Sequence, residues 1–284
     1  MSIKSSVCAI MKNESQYICE WVAHYINLGF DEVIVYENDS DDDTAEILKR
    51  LSAAGIIKYV SWPSENRKSP QVSSYEDALS YSDSDWILFV DTDEFLVFNE
   101  DISVNEFLSR FDDEVASVSV NWRIFGSSGK EANERDYVIR RFTKASAPNF
   151  IVNHHVKTFV RPGSVKRVHI HACEVSGRTV YANGDDLCFP KTLGIADKIK
   201  FDVASINHYF TKSKEEFSTK KGRGNANRAA KDHDKFLRYT DQLFIDHDQN
   251  QVDDTSALKY LKKNHDLIAS MGSWALFDAS IKSV

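Results

Sequence analysis

The sequence predicts an α/β fold, on three observations. Apolar runs of strand length alternate with segments of helical periodicity through the first hundred residues, glycines stand where two of those helices should stop, and the pattern then changes to short β-rich runs. Strands alternating with helices in this way form parallel sheets whose two faces are covered.

The elements follow in chain order. Ser5 to Met11 is a short apolar run suited to a buried strand, and Asn13 stands where it could cap a helix. Ile18, Trp21, Val22, Tyr25 and Ile26 occupy one face at a period of 3.6 residues, and Gly29 supplies a stop. Glu32 to Tyr36 reads as a second strand, Asn38 to Asp43 as a polar loop, and Thr44 to Ala54 as a helix ended by Gly55. A third strand, Ile56 to Ser61, a polar segment, Pro63 to Pro70, and a helix, Gln71 to Tyr81, lead into Asp85 to Asp91, the most strand-like run of the chain. These hundred residues have the pattern of a Rossmann-type half. Ser103 to Phe111 is expected to be helical. Ala116 to Trp122, Tyr137 to Phe142, Val156 to Val160 and Val165 to Ile170 are expected to build a mixed β layer, and Ala257 to Met271 a terminal helix.

Composition narrows the function. Of 284 residues, 42% are hydrophobic and 27% charged, which excludes disordered, collagenous and disulfide-scaffold classes. The net charge of −8 argues against a protein that coats nucleic acid. Apolar stretches such as Trp86 to Val90 fall far short of the roughly 20 residues that span a bilayer. The first residues carry too short an apolar run for a secretory signal, so a cytoplasmic location is expected, with peripheral contact at the inner membrane face as an option. Cys8, Cys19, Cys173 and Cys188 show no metal-ligand spacing and read as reduced, mostly buried thiols.

Asp91-Thr92-Asp93-Glu94 follows the apolar strand directly. Ligands of open α/β sheets bind beyond the carboxyl ends of strands, and two carboxylates one residue apart at such an edge can hold a hard divalent cation. Asp39 ends the second strand at the same rim, as a candidate ligand contact; Asp42 and Asp43 are explained by the start of the following helix.

Together, CAIMKNE, VIVYENDSDDDT and WILFVDTDEFL resemble the GT-A glycosyltransferases, most closely the family 2-like and family 92-like branch. The resemblance extends through NWRIFGSSG, KTFVRP, VHIH and INHYFTKSKEEFSTKKGRG and covers about residues 5 to 230. It implies a GT-A domain at 1–230 with a C-terminal helical extension, 231–284, packed on it. Asp39 would hold the nucleoside; Asp91, Asp93 and His208 would hold Mn²⁺ or Mg²⁺ on the diphosphate of a nucleotide-sugar. Divalent ions and cationic side chains stabilise the charge that develops on such a leaving group. Lys220, Lys221 and Arg223 lie in a basic segment of an acidic chain and are the expected diphosphate partners, with Gly222 and Gly224 letting the backbone bend.

On the acceptor side, Trp122 offers an apolar platform for a sugar ring, and Lys157 shares a strand face with Arg161. Inversion at the anomeric carbon requires a base. Glu94, Glu131 and Glu174 are candidates, with Glu94 preferred because it adjoins the metal pair. Where the family often has a His after the FG-x-x-G run, this chain has Lys130 and Glu131.

The expectation is thus a metal-dependent inverting transfer of a hexose from a nucleoside diphosphate sugar, with UDP the favoured nucleotide, to a glycan or glycolipid acceptor, as in surface polysaccharide or lipopolysaccharide synthesis. Two alternatives remain at this stage. One is a haloacid-dehalogenase-like phosphatase, which FVDTDEF superficially resembles; the other is an inactive glycan-binding module.

Overall fold

The computed structural model describes residues 3–64, 69–223 and 239–271. The chain opens with β1 (Ser5–Met11), α1 (Ile18–Asn27), β2 (Glu32–Glu37), α2 (Thr44–Ala53), β3 (Lys58–Ser61), α3 (Pro70–Tyr81) and β4 (Trp86–Phe89). The four strands are parallel in the order β3-β2-β1-β4. Every residue of β1 and β4 is buried, the reason both read as continuous apolar runs. On α1 the expected stripe is inward: Ile18, Trp21, Val22 and Tyr25 are buried. Gly29 ends the helix at a φ of +91°, its N–H donating to Ile26 O at 2.9 Å.

Beyond β4 the sheet becomes mixed. Next come β5 (Glu94–Phe98), α4 (Val104–Leu108), β6 (Val115–Ile124), α5 (Val138–Arg141), β7 (Lys144–Ala145) and β8 (Val156–Val160). They are followed by β9 (Val165–Arg167), β10 (Glu174–Val175), β11 (Arg178–Tyr181), β12 (Ala204–His208), α6 (Lys214–Arg223), α7 (Asp241–His247), β13 (Val252–Asp253) and α8 (Leu261–Ser270). The full sheet runs β3-β2-β1-β4-β8-β6-β12-β5, with β11 also on β6. All ten residues of β6 are buried. Antiparallel pairing of β12 with β5 sets His208 opposite Glu94, and parallel pairing with β6 sets Ile206 opposite Trp122. This register delivers a residue near position 208 to the loop that joins β4 and β5.

Several expected elements differ. Tyr137 to Phe142 is not a strand: Val138–Arg141 forms a single helical turn. The buried Glu20 carboxylate accepts the N–H groups of Val138 and Ile139 at 2.6 and 3.1 Å, and such side-chain satisfaction of a helix start overrides local β propensity. Asn13 does not cap α1, which begins at Ile18 after an uncapped Tyr17; Asn13 instead exchanges hydrogen bonds with Asp41. β3 starts at Lys58 because Ile56 N–H is committed to Leu51 O in the turn that closes α2. α4 is shorter than Ser103 to Phe111, although its start carries a Ser103–Glu106 capping box. β9 stops at Arg167, so the His169–His171 segment leaves the ladder, and Thr158 Oγ1 donates to His171 O at 3.1 Å.

At the C-terminal side, a 3₁₀ turn, Ser256–Tyr260, precedes α8, which packs on α1 with Asn27 Nδ2 donating to Asn264 Oδ1 at 2.9 Å. The domain boundary expected at residue 230, and Gly224, lie outside the described residues. Cys8, Cys19 and Cys173 are buried free thiols, and Cys188 is exposed. Among the described residues no helix is long and apolar enough to cross a membrane.

Candidate functional site

The loop between β4 and β5 carries Asp91, Thr92 and Asp93, and the two aspartates have different environments. Asp91 receives Gln71 Nε2 at 2.6 Å on one carboxylate oxygen and Lys157 Nζ at 3.0 Å on the other. Lys157 also lies 3.3 Å from Glu94 Oε2, which accepts the Asp91 N–H at 2.7 Å. Lys157 and Glu94 are completely buried. Burial pushes the Glu94 carboxyl up, against the opposing pull of Lys157 and with the help of the Asp91 and Asp93 charges. The lysine is therefore the internal counter-ion of a carboxylate pair.

Asp93 faces the other way. Lys220 Nζ, from α6, donates to Asp93 Oδ2 at 2.6 Å, and His208 Nε2 lies 3.5 Å from Oδ1. Tyr209 N–H donates to Asp93 O at 2.8 Å, pinning the loop to the end of β12. Burial alone would raise the Asp93 carboxyl, but Lys220, His208 and Lys212 outweigh it and hold it well below the usual carboxylate range. The His208 ring packs on Trp122 with centroids 4.3 Å apart.

Beside this cluster a cavity of about 240 Å³ opens between the β1–α1 loop and α6, lined among others by Asn13, Glu14, Tyr17, Asn133, Lys212 and Lys220. Lys212 is buried, holds a left-handed φ of +49° and places its ammonium 3.9 Å from the centre of the Tyr17 ring. A non-glycine residue in that region is a strained position that the surroundings must hold. The holding network is explicit: Tyr17 Oη donates to Glu216 Oε1 at 2.7 Å, and Glu216 takes both Arg141 terminal nitrogens at 2.8 Å. Burial would raise the Glu216 carboxyl, but Arg141 and Lys212 bring it down to about 2. Glu216 is thereby committed, and Lys212 and Lys220 line the cavity together with the carboxylates Glu14 and Asp42.

The expected site residues divide accordingly. Asp93, His208 and Lys220 come together. Asp39 lies two residues beyond β2 at a φ of +50° and accepts the Ser64 N–H at 2.7 Å. Three expectations need correction. Trp122 is no free platform: it is 8% exposed, stacked on His155 at 4.8 Å on one side and against His208 on another. Lys157 does not face an acceptor, because Asp91 and Glu94 enclose its ammonium. Glu94 is sealed from the cleft in the same way and cannot touch an acceptor hydroxyl. Lys221 points to Asp241 at 3.2 Å and is half exposed, while the Arg223 side chain lies outside the described residues. Of the other carboxylates considered as bases, Glu131 pairs with Lys214 and Glu174 with Arg167 at the surface. Gln71 and Tyr17 were not singled out in the sequence, and Lys212 opened the basic segment without being chosen as a diphosphate partner.

Among the described residues no group of three or more His, Cys, Asp or Glu side chains is placed to hold a metal ion. A carboxylate oxygen and a neutral imidazole nitrogen are ordinary donors for Mn²⁺, and Asp93 and His208 converge. Asp91 lies on the same loop, with Gln71 and Lys157 each donating to one of its oxygens and its side chain 32% exposed.

The model of glycosyltransferase family 92 matches residues 3–256. A glycosyltransferase family 92 protein of Oryza sativa subsp. japonica is 26% identical over 165 residues, covering 56% of this chain and 27% of the relative. An uncharacterized glycosyltransferase of Rickettsia prowazekii (strain Madrid E) is 39% identical over 91 residues, 32% of this chain and 28% of that protein. The chain thus spans about a quarter of the length of these curated relatives. Among solved structures, the mannosyltransferase PcManGT from Pyrobaculum calidifontis in complex with GDP-Man and Mn²⁺ aligns with a TM-score of 0.36 and 17% identity, over 43% of this chain and 36% of that one. S. aureus TarS in complex with UDP-GlcNAc aligns with a TM-score of 0.36 and 20% identity, over 57% of this chain and 46% of that one.

Proposed function

Because the chain belongs to glycosyltransferase family 92, we propose that it is an inverting glycosyltransferase that moves a hexose from a nucleoside diphosphate sugar, a UDP-sugar first, to a glycan or glycolipid acceptor in the cytoplasm, as in surface polysaccharide synthesis. The observation that carries this reading is the pair of lysines, buried Lys212 and partly buried Lys220, lining one cavity beside Asp93 and His208 at the carboxyl edge of the parallel strands.

The residues have distinct tasks. Asp39 and the β1–α1 loop border the nucleoside end. Lys220 and Lys212 take the diphosphate, whose charge grows as the glycosidic bond breaks; preorganised cations at that point lower the barrier because they need no reorganisation during the reaction. Lys220 is drawn from Asp93 to phosphate as the donor enters. Asp93 and His208 are the residues that would hold Mn²⁺ or Mg²⁺, which when bound neutralises leaving-group charge. Lys157, Glu94 and Gln71 are positioning residues: they fix Asp91 and the loop that bears Asp93. Against the phosphatase alternative stands the family 92 match over residues 3–256.

The test is a thermal-shift panel of UDP, GDP, CDP and TDP, each with Mn²⁺ and with EDTA. A ligand at 100 times its Kd adds about 2.7 kcal/mol to native stability. One nucleotide is expected to raise Tm, most strongly with Mn²⁺. If none does under either condition, the proposal is wrong.

A further inference from the structure

Resting on the glycosyltransferase reading, we infer that Arg141 is a positioning residue for the donor diphosphate: it neutralises Glu216 on the cavity wall and so reserves Lys212 for the ligand. Arg141 lies on α5, away from the cavity lining, with a side chain only 1% exposed. Glu216 and Lys212 do line the cavity, the first on α6 and the second two residues before that helix begins. Arg141 therefore has no route of its own to a ligand, and its effect passes through the other two.

The pairing is built with care. Arg141 Nη1 and Nη2 each donate to a different Glu216 oxygen at 2.8 Å, and Nε donates to Asp136 O at 3.2 Å. Two parallel N–H···O bonds fix a carboxylate in plane, which a single ammonium cannot do. Glu216 Oε1 also accepts Tyr17 Oη, and Oε2 accepts Ser213 Oγ at 2.6 Å and Ser213 N–H at 3.1 Å. These contacts close a circuit through three helices. Tyr17 stands just before α1 and Glu20 one turn on; Glu20 accepts the N–H groups that open α5, Arg141 ends α5, and Glu216 returns from α6 to Tyr17. The circuit sets Arg141 against Glu216 before any ligand arrives.

The charges around the cavity show why this matters. Among the described residues that line it, the carboxylates Glu14, Asp42 and Glu216 stand against the ammonium groups of Lys212 and Lys220. Asp42 is held by the N–H groups of Ser15 and Thr44 at 3.1 and 2.9 Å, and Lys220 is shared with Asp93. With Glu216 uncovered, a diphosphate would meet a wall of net negative charge. A buried carboxylate stripped of its partner must find another cation or remain at high cost. Lys212 already lends Glu216 part of its support and would then serve as its counter-ion. Arg141 prevents both outcomes from behind the wall.

Calorimetric titration of the full chain with UDP, GDP and inorganic pyrophosphate, and with uridine and guanosine as uncharged controls, tests the assignment. Arg141→Met should cut affinity for the preferred nucleoside diphosphate and for pyrophosphate tenfold or more, and leave the nucleoside within twofold. Adding Glu216→Gln removes the uncovered charge and should return both anions to within threefold of wild type. A merely structural clamp predicts no such rescue, because the double variant has no clamp. Unchanged diphosphate affinity in Arg141→Met overturns the assignment, as does a double variant that binds no more tightly than the single one, or a parallel loss of nucleoside and diphosphate. If circular dichroism shows that Arg141→Met does not fold, Glu216→Gln alone decides: it should bind the diphosphate at least as tightly as wild type, and tenfold weaker binding overturns the assignment. A wild type that binds none of the probes brings down the glycosyltransferase reading and the role of Arg141 with it.

Discussion

Replacing Lys157 with Met removes the one cation between two carboxylates while keeping the volume of the stem. At an effective dielectric near 20, a unit charge 3.0 to 3.3 Å away contributes about 5 kcal/mol per pair before desolvation is subtracted. Most of that gross attraction offsets the cost of taking the ammonium out of water, so the wild-type cluster itself adds little. Breaking it is different, because Glu94 then stays fully buried beside Asp91 without compensation, a loss of about 3–5 kcal/mol. At roughly 2 °C per kcal/mol for a chain of this size, Tm should fall by about 6–10 °C. Without the lysine, Glu94 is raised still further in the folded state. A carboxyl raised above its unfolded value supports the fold below that value, and the support is lost as pH rises through the folded pKa. Glu94 stands at about 8 with the lysine in place, so the deficit against wild type should open as pH rises through about 8 and be larger at pH 9 than at pH 6 in urea denaturation. Adding Glu94→Gln removes the repulsion and should restore at least half of the loss. The reasoning is refuted if Lys157→Met lies within about 1 kcal/mol of wild type, or if the double variant is no more stable than the single one, since residues in contact must couple.

Lys212→Ala should weaken nucleoside diphosphate and inorganic pyrophosphate binding about tenfold, since a charge-assisted hydrogen bond is worth about 1.5–3 kcal/mol, and leave nucleoside affinity unchanged. Lys221→Ala should alter neither, and calorimetry showing the reverse order would assign the diphosphate to the outer face of α6. His24 is fully buried with Nε2 against Leu96 O at 2.8 Å; burial lowers it to about 4 despite that hydrogen bond. An unfolded histidine takes its proton near pH 6.5, so this group costs stability as pH falls from about 6.5 to about 4, by about 2 kcal/mol at pH 5. Urea denaturation of His24→Gln should show a shallower acid slope than wild type across that window; identical slopes would contradict it.

Much of the site was legible because its parts sit at the ends of strongly patterned strands. Asp39 and the Asp91–Asp93 pair follow apolar runs that could only be buried strands, and parallel strands put their carboxyl ends on one edge. His208 and Lys220 were reachable through the resemblance. What failed was the assignment of direction. Lys157 alternates with Thr158 on a strand, and the sequence alone leaves open which face meets solvent. A lysine is expected outside, yet this one is inside because two carboxylates 63 and 66 residues away in the chain receive it. Trp122 was read as the end of its strand, whereas β6 continues to Ile124 and two histidines pack on the indole.

Local patterning by itself determined the order of elements in the parallel half, the burial of β1 and β4, the stop at Gly29, and the acidic loop at the strand edge. Each depends on hydrophobic periodicity or a glycine's backbone freedom within a few residues. Only the tertiary structure decided that Glu20 would turn Val138–Arg141 into a helix, that Lys157 would be a buried counter-ion, that Lys212 rather than Lys221 would face the cavity, and that Trp122 would stand among histidines. Those outcomes rest on pairings between residues tens to more than a hundred positions apart, and a charge or a ring acquires its role from the partner that desolvates it, which no local pattern encodes.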